Sequence, residues 1–299
     1  MKIKIVSSFA LTATFFAFIV IALGAFTRLV DAGLGCPDWP GCYGNWIVSA
    51  TSNTQIILFK AWAEMIHRYA VGGLSLFIMS IIFLILWKNR KPFNLILITS
   101  LILLLIYQIL LGRWTITLKL SPIIVSQHLI GGFLILSALW LIYLNNKAHY
   151  QKRESLKLFS WTFIALILLF TQIFLGAWTS TNYASLACTD FPFCINLQPT
   201  QTLSSLQMIH MMHRVGALLI SGYFLIFMMI AMMKLKNHPD LMRILFLMVM
   251  LLIIQICLGM ANVMLKLPVL IAVLHTITAA ALLLCVITFA FKLIYKRQV

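Results

Sequence analysis

Apolar residues in this chain come in long runs. Eight stretches, about 8–29, 58–87, 93–116, 123–145, 158–180, 204–233, 242–265 and 269–292, are almost wholly hydrophobic. A helix needs roughly 20 such residues to cross a bilayer, so each stretch reads as a membrane span. The first run follows Lys2 and Lys4, as the apolar part of a signal peptide would. It continues through Gly24-Ala25-Phe26-Thr27 without a small-residue cleavage site, which predicts a retained helix. Composition agrees: 63% of residues are hydrophobic and 9% charged, against about 25% charged in soluble domains. The expectation is an all-α integral membrane protein with eight transmembrane helices.

Polar positions then give orientation. The net charge is +16, a value that elsewhere points to nucleic acid. Here the cations gather in patches: Lys2 and Lys4; Lys88, Arg90 and Lys91; Lys147, Lys152, Arg153 and Lys157; Lys234, Lys236 and Arg243; Lys292, Lys296 and Arg297. These patches are the two ends of the chain and every second loop. The positive-inside rule places them in the cytoplasm, so the charge encodes orientation in a bacterial inner membrane and no nucleic-acid partner is expected. The loops near 30–57, 117–122, 181–203 and 266–268 then lie outside. The polar loop at 146–157 divides the chain into halves, 1–150 and 151–299, each expected to be a four-helix bundle.

The halves share landmarks in the same order. Gly24-Ala25-Phe26-Thr27 matches Gly176-Ala177-Trp178-Thr179, and Cys36, Asp38, Pro40 and Cys42 match Cys188, Asp190, Pro192 and Cys194. Gln108 to Gly112 matches Gln255 to Gly259. Parallel repeats of even helix number are related by an axis along the membrane normal. Within this frame His67 and His128 recur as His213 and His275. Ionisable residues inside apolar spans mark function by default. At 1.5 Å rise per residue, His67 and His128 each fall roughly 10 Å below the outer end of their helices. Two imidazoles at one depth suit bis-histidine coordination of a heme iron, although copper and zinc also accept imidazole. Gly72-Gly73, Gly131-Gly132 and Gly216-Ala217 offer room beside them. The competing reading is four histidines hydrogen-bonded between helices.

The repeat fails one turn before the ligands. Glu64 precedes His67 where His210 precedes His213. Residues three apart share a helix face, so Glu64 reads either as a general acid or base or as an ion-pair partner of Arg68 or Lys60. Arg28, Arg68, Arg113 and Arg214 lie near outer helix ends; they suit heme propionates or snorkel to the surface. Cys36 with Cys42, and Cys188 with Cys194, lie in outer loops where disulfides persist. The first pair reads as a loop staple or as a redox-active pair. Cys257 and Cys285 read as packing residues.

Glu64-xx-His67-Arg68, His128, His213, His275, the first-loop cysteines and the duplicated eight helices together resemble the heme A synthase family, across nearly the whole chain. The resemblance implies an oxidoreductase that converts the C8 methyl group of heme O to a formyl group by successive hydroxylation, giving heme A for cytochrome oxidase assembly. It implies that residues 1–150 hold substrate heme O through His67 and His128, with Glu64 catalytic. Residues 151–299 would hold a heme B cofactor, its iron bound by His213 and His275. Expected partners are heme O, heme O synthase, membrane lipid and an electron donor that the resemblance does not name. The alternative class is a diheme membrane electron carrier of the quinol-linked cytochrome b type, which has no need of a carboxylate beside one heme only. A duplicated transporter would show broken helices and acidic membrane residues that are lacking here.

Overall fold

The computed structural model describes residues 2–48, 55–88, 91–148, 150–152, 158–190, 194 and 203–297. These contain α1 (Lys2–Leu29), α2 (Gln55–Lys88), α3 (Pro92–Thr117), α4 (Pro122–Lys147), α5 (Phe159–Thr181), α6 (Ser205–Lys234), α7 (Pro239–Met264) and α8 (Val269–Ile294). All eight are long and apolar enough to span a membrane. A helix is the natural form for such segments, because hydrocarbon offers no partner to a backbone N–H or C=O. Local sequence marks the ends. Pro92, Pro122 and Pro239 open their helices, where the missing N–H costs nothing. Ser204 and Gln207 close a capping box at the start of α6.

Two three-residue strands depart from the purely helical expectation. β1 (Tyr150–Lys152) pairs antiparallel with β2 (Tyr295–Arg297). Segments this short carry no readable alternation of polar and apolar positions.

The chain forms two compact units, Met1–His149 and Tyr150–Val299. In the first, α1 packs against α2 and α4, and α3 packs against α4 and more loosely against α2. The helices thus form a ring in which α2 and α4 stand diagonally. In the second, α5 packs against α6 and α8, and α7 against α8 and more loosely against α6. That places α6 and α8 on the diagonal. The repeat extends to the tight turns. Lys119 and Leu120 after α3, and Lys266 and Leu267 after α7, adopt left-handed backbone angles, with φ of 48°, 57°, 57° and 63°. Both turns read Leu-Lys-Leu. Both are closed by a backbone bond reaching back into the helix: Leu120 N–H to Thr115 O at 2.8 Å and Leu267 N–H to Asn262 O at 2.7 Å.

Between the start of α3 and the end of α4 lies a buried amide cluster. Asn94 donates to Asn146 Oδ1 at 3.2 Å and accepts from Asn145 at 2.8 Å and Asn146 at 3.1 Å. Asn94→Leu removes the interhelical bonds to Asn145 and Asn146, while Asn146 keeps its bond to the Ile142 carbonyl, and interhelical polar contacts in membranes contribute about 1–2 kcal/mol at most. The variant is expected to lose that much, seen as an earlier thermal midpoint in detergent.

Candidate functional site

The diagonal helices carry the histidines. His67 on α2 and His128 on α4 stand on the diagonal of the first unit. His213 on α6 and His275 on α8 do the same in the second unit. Each ring lies on a glycine of the adjacent helix. A Cβ placed on Gly24 of α1 would meet His67 Cε1 at 3.0 Å, and one on Gly176 of α5 would meet His213 Cε1 at 3.0 Å. The corresponding distances are 3.7 Å from Gly112 of α3 to His128 and 3.2 Å from Gly259 of α7 to His275. One contact therefore recurs in all four helical hairpins, with glycine on the first helix and histidine on the second.

Sequence reading recognised these glycines as landmarks of duplication but missed that they seat the rings. It sought room at other small residues. Gly72 does face open space, but Gly73 packs on Phe16, Gly131 on Gln108 and Gly216 on Gln172. The signal was a glutamine four residues before Gly112, Gly176 and Gly259, of which the sequence pattern matched Gln108 and Gln255 but not Gln172.

The Nδ1 atoms of His67, His128 and His275 are buried without a hydrogen-bond partner. Leaving a polar group so costs about 1–3 kcal/mol, a cost that coordination of a metal relieves. Among the described residues no group of three or more His, Cys, Asp or Glu converges. Two imidazoles per unit do not make the four-ligand cage of structural zinc. They do fit an iron whose remaining positions a porphyrin supplies.

One turn before His67 and His213, each unit latches the long loop that precedes its second helix. Glu64 is buried; its Oε2 accepts from Cys36 N–H at 2.9 Å and its Oε1 from Arg68 at 2.5 Å. Arg68 also donates to the backbone carbonyls of Asp38 at 3.0 Å, Pro40 at 3.2 Å and Gly41. Of the two cations considered for Glu64, Arg68 is thus the one that pairs with it. In the second unit His210 takes the place of Glu64. Its Nδ1 lies 3.3 Å from Cys188 N–H and its Nε2 lies 3.1 Å from Arg214 Nε. Arg214 donates to Asp190 O and Cys188 O, both at 2.6 Å. A neutral imidazole accepts at one nitrogen only, so His210 cannot satisfy both donors as the carboxylate does.

Both cysteine pairs are disulfide-bonded, with Cα separations of 4.8 Å for Cys36–Cys42 and 5.3 Å for Cys188–Cys194. Cys257 and Cys285 are free. The first disulfide packs with Val48 on Ala61 and Met65 of α2. Gly35 brings the loop onto that helix: a Cβ there would lie 2.5 Å from the Lys60 carbonyl. Asp38 braces the turn, accepting from Tyr43 N–H at 2.7 Å and Gly44 N–H at 2.8 Å. Partial burial acts to raise its pKa, but the amide donors and Arg68 hold the carboxyl below its ordinary value. Arg28 pairs with Asp31 at 3.3 Å, and Arg113 is exposed.

Two four-helix membrane units, each with a diagonal imidazole pair close to a disulfide-closed loop, define a duplicated paired-histidine membrane protein. The sequence matches the family described as cytochrome oxidase assembly protein over residues 7–287. A protein of Shewanella oneidensis named heme A synthase is 39% identical over 95% of this chain and 95% of its own. Heme A synthases of Lysinibacillus sphaericus and Bacillus cereus are 26% and 27% identical, over 93% and 74% of this chain and 92% and 71% of theirs. The chain therefore belongs to the heme A synthase family of cytochrome oxidase assembly proteins.

Gly176→Val sets a branched side chain against His213. Hemin titration is expected to develop low-spin absorbance in the wild-type protein and to lose the second unit's share of it in this variant. Gly222→Ala, whose Cβ meets nothing within 4 Å, leaves that absorbance unchanged. Arg68→Leu removes three carbonyl contacts and strands Glu64. Breaking a buried pair costs about 3–5 kcal/mol, so limited proteolysis within residues 31–48 is expected to run at least tenfold faster, roughly 1.4 kcal/mol or more of loop opening. Arg28→Leu, at an exposed pair, changes that rate little.

Proposed function

We propose that this protein is an oxidoreductase that converts the C8 methyl group of heme O to a formyl group, yielding heme A for cytochrome oxidase. The observation that carries this reading is two half-buried imidazole pairs with a carboxylate one helical turn from only one of them. Residues 1–150 would take the substrate, with His67 and His128 holding heme O. Residues 151–299 take a heme B through His213 and His275, and that group supplies electron transfer when bound. Glu64 is the proton-handling group of the first unit. Its hydrogen bonds to Cys36 and Arg68 hold the carboxylate at a fixed place, and the latched loop limits water at that end. Arg68 and Arg214 clasp the loop backbone beside these sites. The charge pattern supports a bacterial inner-membrane protein with both termini in the cytoplasm, receiving heme O from heme O synthase. The 39% identity to a named heme A synthase across nearly the full length supports the same assignment. A diheme electron carrier leaves Glu64 with only the latching of the loop through Cys36 and Arg68.

The test is expression with a source of heme O, followed by heme extraction and chromatography. Heme A or hydroxylated heme O is expected, and an absence of both from heme-loaded protein refutes the reading. General acid–base groups contribute about 10²–10⁴-fold, so Glu64→Ala is expected to retain bound heme while heme A formation falls by that order. Conversion at the unaltered rate would remove Glu64 from the chemistry.

A further inference from the structure

Three of the four helices that seat a histidine ring carry a glutamine one turn before the seating glycine: Gln108 on α3, Gln172 on α5 and Gln255 on α7. The corresponding residue of α1 is Val20. The glutamines are not used alike. In the second unit both reach a ring. Gln172 Nε2 lies 3.0 Å from His213 Nδ1 and donates to the His213 carbonyl at 2.9 Å, while Gln255 Nε2 lies 3.1 Å from His275 Nε2. In the first unit Gln108 donates to the backbone carbonyl of His128, at 3.1 Å, and no side-chain amide reaches either ring; the Nδ1 atoms of His67, His128 and, in the second unit, His275 are without a partner.

A second observation concerns the other end of each amide. Oε1 of Gln172 and Oε1 of Gln255 are both buried without a hydrogen-bond partner. Each is an acceptor sealed beside an imidazole. A histidine bound to metal through one nitrogen carries its proton on the other, and an acceptor for that proton fixes the tautomer and the plane of the ring. Rotation of the amide exchanges its donor and acceptor ends, so the same side chain serves the ring before and after metal binding.

We propose that Gln172 and Gln255 are positioning residues that lock the His213 and His275 rings and keep the heme of the second unit resident. The first unit has valine at one of these places and no side-chain amide on either ring, and it is built for a heme that enters and leaves. The inference rests on the reading of the four histidines as heme ligands, and it assigns the resident and exchanging sites from side chains other than the ligands and Glu64. The ring proton shared with an amide oxygen also makes the imidazole a stronger donor, which favours ferric iron.

The test uses heme-loaded protein purified in detergent. The second-unit signal is the one lost in His213→Ala, and the first-unit signal is the one lost in His67→Ala. In Gln172→Leu and Gln255→Leu the second-unit heme is expected to titrate at a higher midpoint potential. It is also expected to pass to apomyoglobin roughly tenfold faster or more, the usual scale for loss of such a partner. Gln172→Glu keeps an acceptor and is expected to restore slow release; Gln172→Met, equally long and without one, is expected to behave as Leu. The first-unit signal stays in place throughout. Unchanged potential and release in the Leu and Met variants overturn the proposal while leaving the heme reading intact. A wild-type protein with no heme signal dependent on His213 overturns both.

Discussion

Everything else in the two units depends on four missing side chains. Inside a bilayer no hydrophobic force presses helices together, and close approach depends on small residues at the contact. Gly24, Gly112, Gly176 and Gly259 provide it at the depth of the histidines, and an imidazole edge fills the space each leaves. The aim of the rings across the diagonal follows from that seat. So does the burial of nitrogen atoms that a helix surface would otherwise leave to lipid or water.

On this repeated frame the two units diverge through what surrounds the same geometry. Glu64 and His210 meet equivalent partners, a cysteine N–H and an arginine one turn on. A carboxylate accepts both and neutralises the cation; an imidazole accepts one and stays neutral. Around the rings the difference runs the other way: amides touch both histidines of the second unit and neither ring of the first. Both units thus latch a loop, but only the first does so with a carboxylate and only the second sets side-chain amides on its histidines, the difference on which the proposed reacting and resident sites rest.

The spans, the duplication and the four histidines were legible because each rests on a pattern that survives without coordinates. Long apolar runs, a shared order of landmarks and costly ionisable residues in hydrocarbon are all visible in a string of letters. Both disulfides followed from loop placement for the same reason. The glycine seats and the glutamines were not legible, because Gly and Gln are common and a contact between helices leaves no mark in either one. The arginines failed to resolve on similar grounds. Arg68 and Arg214 were seen at outer helix ends, but their partners are loop carbonyls, which every residue possesses. The short β1–β2 pairing left no trace because three residues cannot display a period.

The latch has a consequence for how these proteins vary. Arg68 binds the carbonyls of Asp38, Pro40 and Gly41, and Arg214 those of Asp190 and Cys188. Such recognition reads the path of the chain and is blind to the identity of most side chains along it. The outward residues of the first loop, including Trp39, Tyr43 and Trp46, are exposed. Substitutions there leave the clasp on α2 unaltered, so the outer face of the loop is free to diverge between relatives while its grip on the helix persists.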